Sequence, residues 1–177
     1  MKNLYAVLAI LLVLGALFAS QGTPAVVADD VPKILEFDSM AGVSRPYTGA
    51  ANAIRGVPGG GLPWVIADAE GKLKVDGTLE VEVEGLVFDP NDQAVIDRGL
   101  AGQNTVPAFK AIVSCLSRDA AGNAVTINVS TDAFPATTGP GAGDAKIEAR
   151  LALPSPCIAP IVFVTNPAGA WFAATGN

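Results

Sequence analysis

The sequence contains no histidine and only two cysteines among its 177 residues. Without histidine, no Ser-His-Asp or Cys-His catalytic group can form. Two cysteines without histidine are also too few for a structural zinc site, which takes four ligands. Among the common hydrolytic arrangements, this composition leaves a pair of carboxylates, of the kind that glycoside hydrolases use.

Positive charge is scarce, because 11 Lys and Arg residues stand against 17 Asp and Glu residues and the net charge is -6. Proteins that bind nucleic acid need a basic patch to neutralise phosphates. Adhesion to anionic lipid also depends on basic residues. We therefore expect neither a nucleic-acid partner nor a membrane partner for the mature chain, and we interpret its acidity as a source of solubility outside the cell.

The N-terminus is typical of a secretory signal peptide. Lys2 supplies a positive charge, and an apolar run follows over residues 4–18. This run is shorter than the roughly 20 residues that cross a bilayer, and small residues come after it. We predict cleavage after Ala28, with Ala25 as the second choice and an uncleaved anchor as the alternative. Residues 1–28 would then be the signal peptide, and residues 29–177 a single secreted, extracellular domain.

Residues 72–88 alternate between apolar and polar side chains, which is typical of a strand with one buried face. The pair Asp76-Gly77 indicates a hairpin inside this stretch. A two-residue turn would place lysines on the apolar face. A three-residue loop over 75–77, with Gly77 left-handed, instead sets Leu73 opposite Leu79 and Lys72 opposite Glu80. We therefore predict the three-residue loop.

The rest of the chain predicts an all-β fold, an antiparallel β-sandwich of immunoglobulin-like or jelly-roll-like type with one short connecting helix. The helix is expected to begin at Asp89 and end at Gly99. Residues 68–71 are interpreted as a turn, and residues 39–61 as a long loop with a functional or mobile character. Further strands are predicted at residues 30–38, 62–67, 109–116, 125–129, 147–153, 161–164 and 171–172.

Cys115 and Cys157 both lie in the part of the chain that is expected to be exported. Paired cysteines in an oxidising compartment usually form a disulfide. We predict this disulfide, and a loop of that length would stabilise the fold by roughly 4 kcal/mol.

The loop over 39–61 and the strand after it suggest a binding surface made of Arg45, Tyr47, Arg55 and Trp64. An exposed platform of Tyr47, Trp64, Trp171 and Phe172 could stack on sugars, but aromatic residues in a small β domain are more often in the core, and we favour the core. The row Glu80, Glu82 and Glu84 does not match a calcium loop, and residues 59–61 lack the remainder of a phosphate-binding motif. We therefore expect no metal and no cofactor.

Four segments, residues 37–40, 56–66, 109–116 and 153–157, resemble a group of uncharacterised secreted bacterial proteins. The resemblance extends over nearly the whole mature chain. It implies export and a β domain with paired cysteines, and it implies no activity.

These observations favour an exported, non-catalytic binding or structural module with an extracellular ligand or protein partner. The first alternative is a self-assembling extracellular subunit, a homo-oligomer that pairs through an apolar edge at residues 31–37 or 161–171. The second alternative is a hydrolase that uses two carboxylates. Its candidate residues are Asp38, Asp68, Glu70, Asp89 and Asp92.

Overall fold

The computed structural model describes residues 31–176. The predicted signal peptide at residues 1–28 lies outside the described residues. In chain order the strands are β1 (Lys33–Phe37), β2 (Met40–Gly42), β3 (Trp64–Val65), β4 (Asp68–Lys74), β5 (Thr78–Glu84), β6 (Val87–Phe88), β7 (Gln103–Asn104), β8 (Ala108–Arg118), β9 (Ala124–Ser130), β10 (Phe134–Pro135), β11 (Gly139–Pro140), β12 (Ala145–Arg150), β13 (Ile158–Thr165) and β14 (Trp171–Thr175). One short helix, α1 (Gln93–Ile96), lies between β6 and β7.

Two antiparallel sheets share one hydrophobic core, which confirms the all-β sandwich. The smaller sheet has the strand order β1-β4-β5-β12. In the larger sheet, β9 and β10 pair with β8, and the order continues through β13 and β14 to β2. The inward side chains of both sheets form a single cluster. Among its fully buried members are Leu73, Leu79 and Ile147 from the smaller sheet, and Phe109, Val113 and Phe163 from the larger one.

The hairpin of β4 and β5 has the predicted register. Leu73 lies opposite Leu79, and Lys72 lies opposite Glu80. Lys72 and Glu80 form an ion pair of 2.9 Å. Gly77 has a φ of 85°, and a Cβ there would lie 1.9 Å from the Leu151 carbonyl oxygen. The loop therefore needs glycine for its conformation and also for its contact with the chain after β12.

Three local predictions were wrong. Residues 68–71 are the first part of β4, and β2 lies inside the segment that was interpreted as a loop. The short helix exists, but its N-cap is Asp92, whose side chain accepts from the Val95 N–H. Asp89 instead accepts from the Asn91 N–H at 2.8 Å and forms a turn before the helix.

β8 and β13 form the centre of the larger sheet, and the predicted disulfide joins them. Cys115 lies in β8, and Cys157 immediately precedes β13. Their sulfur atoms are bonded at 2.01 Å. Val162, Phe163 and Val164 of β13 are all fully buried, as expected for a strand covered on both faces.

The chain between β2 and β3 is packed against the larger sheet. Gly59 forms a parallel bridge with Trp171, and the Gly60 N–H donates to the Trp171 carbonyl oxygen at 2.7 Å. Val43 and Val57 are members of the core. We call residues 43–60 the packed segment, because backbone hydrogen bonds and buried side chains fix it to the sheet.

Candidate functional site

Trp64 lies in the core, with 2% of its surface exposed. Its ring stacks on Phe172 with the ring centroids 3.9 Å apart, and it is tilted against Phe88 at 4.2 Å. Trp171 is also buried. The alternative of an exposed sugar-stacking platform is wrong for Trp64, Trp171 and Phe172, because these three rings are buried in the core, as favoured from the sequence.

Arg45 and Tyr47 are exposed, as predicted. The Tyr47 side chain is on the surface, with 44% of the residue exposed. The Arg45 guanidinium forms an ion pair of 3.1 Å with Asp92, the N-cap residue of α1. Arg45 thus connects the packed segment to the helix.

Arg55 fixes the packed segment to three strands of the larger sheet. Its Nη1 donates to the Ser114 carbonyl oxygen of β8 at 3.0 Å and to the Ala159 carbonyl oxygen of β13 at 2.8 Å. Its own carbonyl oxygen accepts from Asn128 Nδ2 of β9 at 3.0 Å. Arg55 and Ala159 have φ values of 49° and 45°, which residues other than glycine rarely adopt. The four predicted surface residues therefore have separate roles and do not form one exposed site.

β9 is an open edge of the larger sheet. It pairs with β8, and no second strand among residues 31–176 pairs with it. Its sequence, Ala-Val-Thr-Ile-Asn-Val-Ser, carries neither charge nor proline. Its register with β8 runs without a bulge from Ala124 to Ser130. The strand is therefore long, regular and uncharged along a free edge.

The other sheet edges carry features that discourage pairing. β1 has a bulge between Lys33 and Leu35, and β12 presents Lys146, Glu148 and Arg150. β2 has only three residues, and β10 has two, one of them a proline. Bulges, charges, prolines and short length are the usual means by which proteins prevent edge-to-edge association. β9 has none of these four features.

Two exposed apolar side chains lie on β8 and β13, one and two strands away from β9. Leu116 is 40% exposed and Ile158 is 53% exposed, and they face each other across β8 and β13. Thr126 of β9 lies opposite Leu116 on its other side. We call Leu116, Thr126, Ile127, Asn128 and Ile158 together the β9 surface.

Part of this surface has no clear signal in the sequence. Ile158 precedes the apolar run over residues 161–164 that predicts a buried strand, and its exposure depends on where the neighbouring strands end. The alternation in β9 was visible, but a strand's position at an edge is decided by sheet order, which the pattern of one strand does not contain.

The outer face of the smaller sheet is rich in carboxylates. Three pairs of acidic residues lie directly opposite each other on neighbouring strands. They are Asp68 with Glu84, Glu70 with Glu82, and Glu80 with Glu148. Like charges in such positions are destabilising, and Lys72 and Lys146 lie among them. We call this the carboxylate face.

Hydrogen bonds keep groups on this face ionised. The hydrogen bond from Lys72 lowers the pKa of Glu80 below its usual value of 4.5. The hydrogen bond to Glu148, and the negative charge of that residue, raise the pKa of Lys146 above 10.5. Both shifts favour the charged forms, whereas a general acid at neutral pH needs a carboxyl group with a raised pKa.

The candidate hydrolase carboxylates do not all lie together, although Asp38 and Glu70 line the same surface cleft. Asp92 caps α1, Asp89 forms a turn, and Asp68 and Glu70 lie on the carboxylate face. Within residues 31–176, no group of three or more acidic or cysteine side chains is arranged to hold a metal ion. Both cysteines are bonded to each other.

Comparisons with protein-family models, with curated proteins and with solved structures give no match. In the described part of the chain, no helix has the length and apolar character to cross a membrane.

Proposed function

We propose that this chain is an exported, non-catalytic interaction module that binds a protein strand at the β9 surface. The observation that carries the proposal is the open, uncharged edge of β9. Export is supported by the predicted signal peptide and by the disulfide, because disulfides persist in oxidising compartments. The non-catalytic character is supported by the lack of histidine and by the bonding of both cysteines to each other.

An edge strand presents backbone N–H and C=O groups that can pair with an extended segment of another protein. Side chains next to the edge then determine which segment fits. Ala124, Thr126, Asn128 and Ser130 lie on one face of this edge and Val125, Ile127 and Val129 on the other, and none of these residues is charged. The geometry therefore suits a partner strand that has small or β-branched side chains and no charge.

Photo-crosslinking tests this proposal. A benzoylphenylalanine residue replaces Thr126 in the secreted protein, and the same residue replaces Glu148 on the carboxylate face as the matched control. Both positions are exposed. We expect discrete covalent protein adducts after irradiation of the culture at position 126 and not at position 148. Equal adducts at both positions, or none at position 126, would contradict the proposal.

A further inference from the structure

We infer that the strand bound at β9 is β9 of a second copy of this chain, antiparallel to the first around a two-fold axis at Ile127. This inference rests on the proposed function and names its partner. Pairing of the two edges would join the two larger sheets into one continuous sheet across the dimer.

The direction of the backbone groups shows which residues are available. The Thr131 N–H donates to the Ala111 carbonyl oxygen of β8 at 3.0 Å. In an antiparallel ladder, successive residues direct their backbone groups to opposite sides. The register shows no shift along β9, so the groups of residues 125, 127 and 129 also point toward β8. The backbone groups of Ala124, Thr126, Asn128 and Ser130 therefore point away from the sheet.

The edge is complementary to itself. With the axis at Ile127, that residue faces its own copy, and Val125 faces Val129 of the second copy. Thr126 then faces Asn128, and Ala124 faces Ser130. Apolar side chains meet apolar ones, and no two like charges are opposed. A two-fold axis perpendicular to the sheet also keeps each residue on the same face as its partner.

Burial along β9 supports this partner. Val125, Ile127 and Val129 are on the core-facing side, yet all three remain only half-buried. On β8, their neighbours Val113 and Cys115 are fully buried. A second β9 would cover these three residues with identical apolar side chains, and removal of apolar surface from water favours association.

Charge also favours this arrangement. The chain carries a net charge of -6, so two copies repel each other in general. The carboxylate face belongs to the other sheet, and β9 itself has no charged residue. Association at β9 thus uses an uncharged edge. It does not bring the carboxylate faces of the two copies opposite each other. Because seven residues make a small interface compared with the roughly 1,600 Å² of a standard one, we expect a reversible dimer.

Two double variants test the partner and the register together. In Thr126→Lys/Asn128→Lys, lysine faces lysine twice across the axis. In Thr126→Lys/Asn128→Glu, lysine faces glutamate twice. Both variants carry two charges at the same exposed positions, and both lose the hydrogen bond from Asn128 to the Arg55 carbonyl oxygen, so they differ only in the sign of the charge at residue 128.

The measurement is sedimentation equilibrium of the secreted protein with its disulfide intact, over a wide concentration range. We expect the mass of the unaltered protein to rise with concentration from one chain to two. The Lys/Lys variant is expected to weaken association by at least about tenfold, because like charges oppose each other at the interface. The Lys/Glu variant is expected to associate at least as strongly as the unaltered protein.

A third variant, which introduces no charge, tests the inference even if the introduced charges disturb the fold. Thr126→Pro removes a backbone N–H that points away from β8, so it breaks no hydrogen bond within the sheet. Circular dichroism and thermal unfolding establish that each variant is folded. We expect the proline variant to remain folded and to sediment as one chain.

A constant mass of one chain for the unaltered protein overturns this inference, and so does equal association of the Lys/Lys and Lys/Glu variants. If the protein sediments as one chain but position 126 crosslinks to a different protein, the second-copy inference fails and the proposed function stands. If the protein sediments as one chain and position 126 gives no adduct, both fail.

Discussion

Gly59 lies so close to Tyr47 that a Cβ at this position would be 2.0 Å from the Tyr47 carbonyl oxygen. Its N–H donates to the Gly49 carbonyl oxygen at 2.9 Å, which fixes the packed segment at the point of contact. Two residues later, a Cβ at Gly61 would meet nothing within 4 Å. Neighbouring glycines therefore have different structural importance.

We expect Gly59→Ala to lower the free energy of unfolding by at least about 1 kcal/mol, because the added methyl group meets backbone that cannot move aside easily. Gly61→Ala, the matched control, should change it by less than about 0.5 kcal/mol. Urea denaturation followed by tryptophan fluorescence measures both. Equal losses for the two variants would show that the contact with Tyr47 has no special role.

Residue roles of this kind were only partly predictable. At residues 59–61 the sequence lacks the helix and the lysine of phosphate-binding loops, so this prediction uses the local pattern alone. The distinction between Gly59 and Gly61 depends on the path of the chain at Tyr47, which no local pattern encodes. The burial of Trp64 likewise depends on Phe172, more than 100 residues away.

One face of the β4–β5 hairpin packs in the core, and on its outer face carboxylates lie opposite one another. Glu70 lies directly opposite Glu82, and both are on the carboxylate face. On the neighbouring pair of strands, Glu36 of β1 lies opposite Lys72 of β4. The same change of charge should therefore have opposite effects at Glu70 and at Glu36.

We expect Glu70→Lys to raise the free energy of unfolding by about 0.2–1 kcal/mol, since an opposed pair of like charges becomes a pair of opposite charges. Glu36→Lys should lower it by a similar amount. Thermal unfolding at low salt detects both changes, and at about 1 M salt the difference should largely disappear because of screening. Shifts of the same sign for both variants would contradict this explanation.

For the strands, the alternation of apolar and polar residues was the most reliable basis for prediction. It predicted the register of β4 with β5, because a shift by one residue would have placed lysines in the core. It missed the start of β4, because the inward residues there are Ala69 and Gly71 and give almost no apolar signal. β2 was missed because three residues in a segment rich in glycine and alanine form a strand only through pairing with β14.

The disulfide connects parts of the chain that are 42 residues apart in sequence. It fixes the start of β13 to β8, next to Leu116 and Ile158 of the β9 surface. It therefore stabilises the whole sandwich and also the site of the proposed interaction.

We expect the double variant Cys115→Ala/Cys157→Ala to lose about 2–5 kcal/mol of free energy of unfolding. Urea denaturation of the purified protein measures the loss. The unaltered protein in reductant is the control, and it should lose a similar amount. If the urea concentration at the midpoint of unfolding is unchanged in both cases, the stability of the larger sheet does not depend on this disulfide.

The position of β14 has a consequence for how the chain is made. β14 comes last in the strand order along the sequence, yet it lies between β13 and β2 and supplies Phe172, on which Trp64 stacks. While residues 171–175 are still inside the ribosome, the nascent chain lacks β14, the strand that pairs with both β2 and β13. Such a chain cannot complete its core, because Trp64 lacks the ring on which it stacks. We therefore expect the larger sheet to reach its final order only after the whole of β14 has been synthesised.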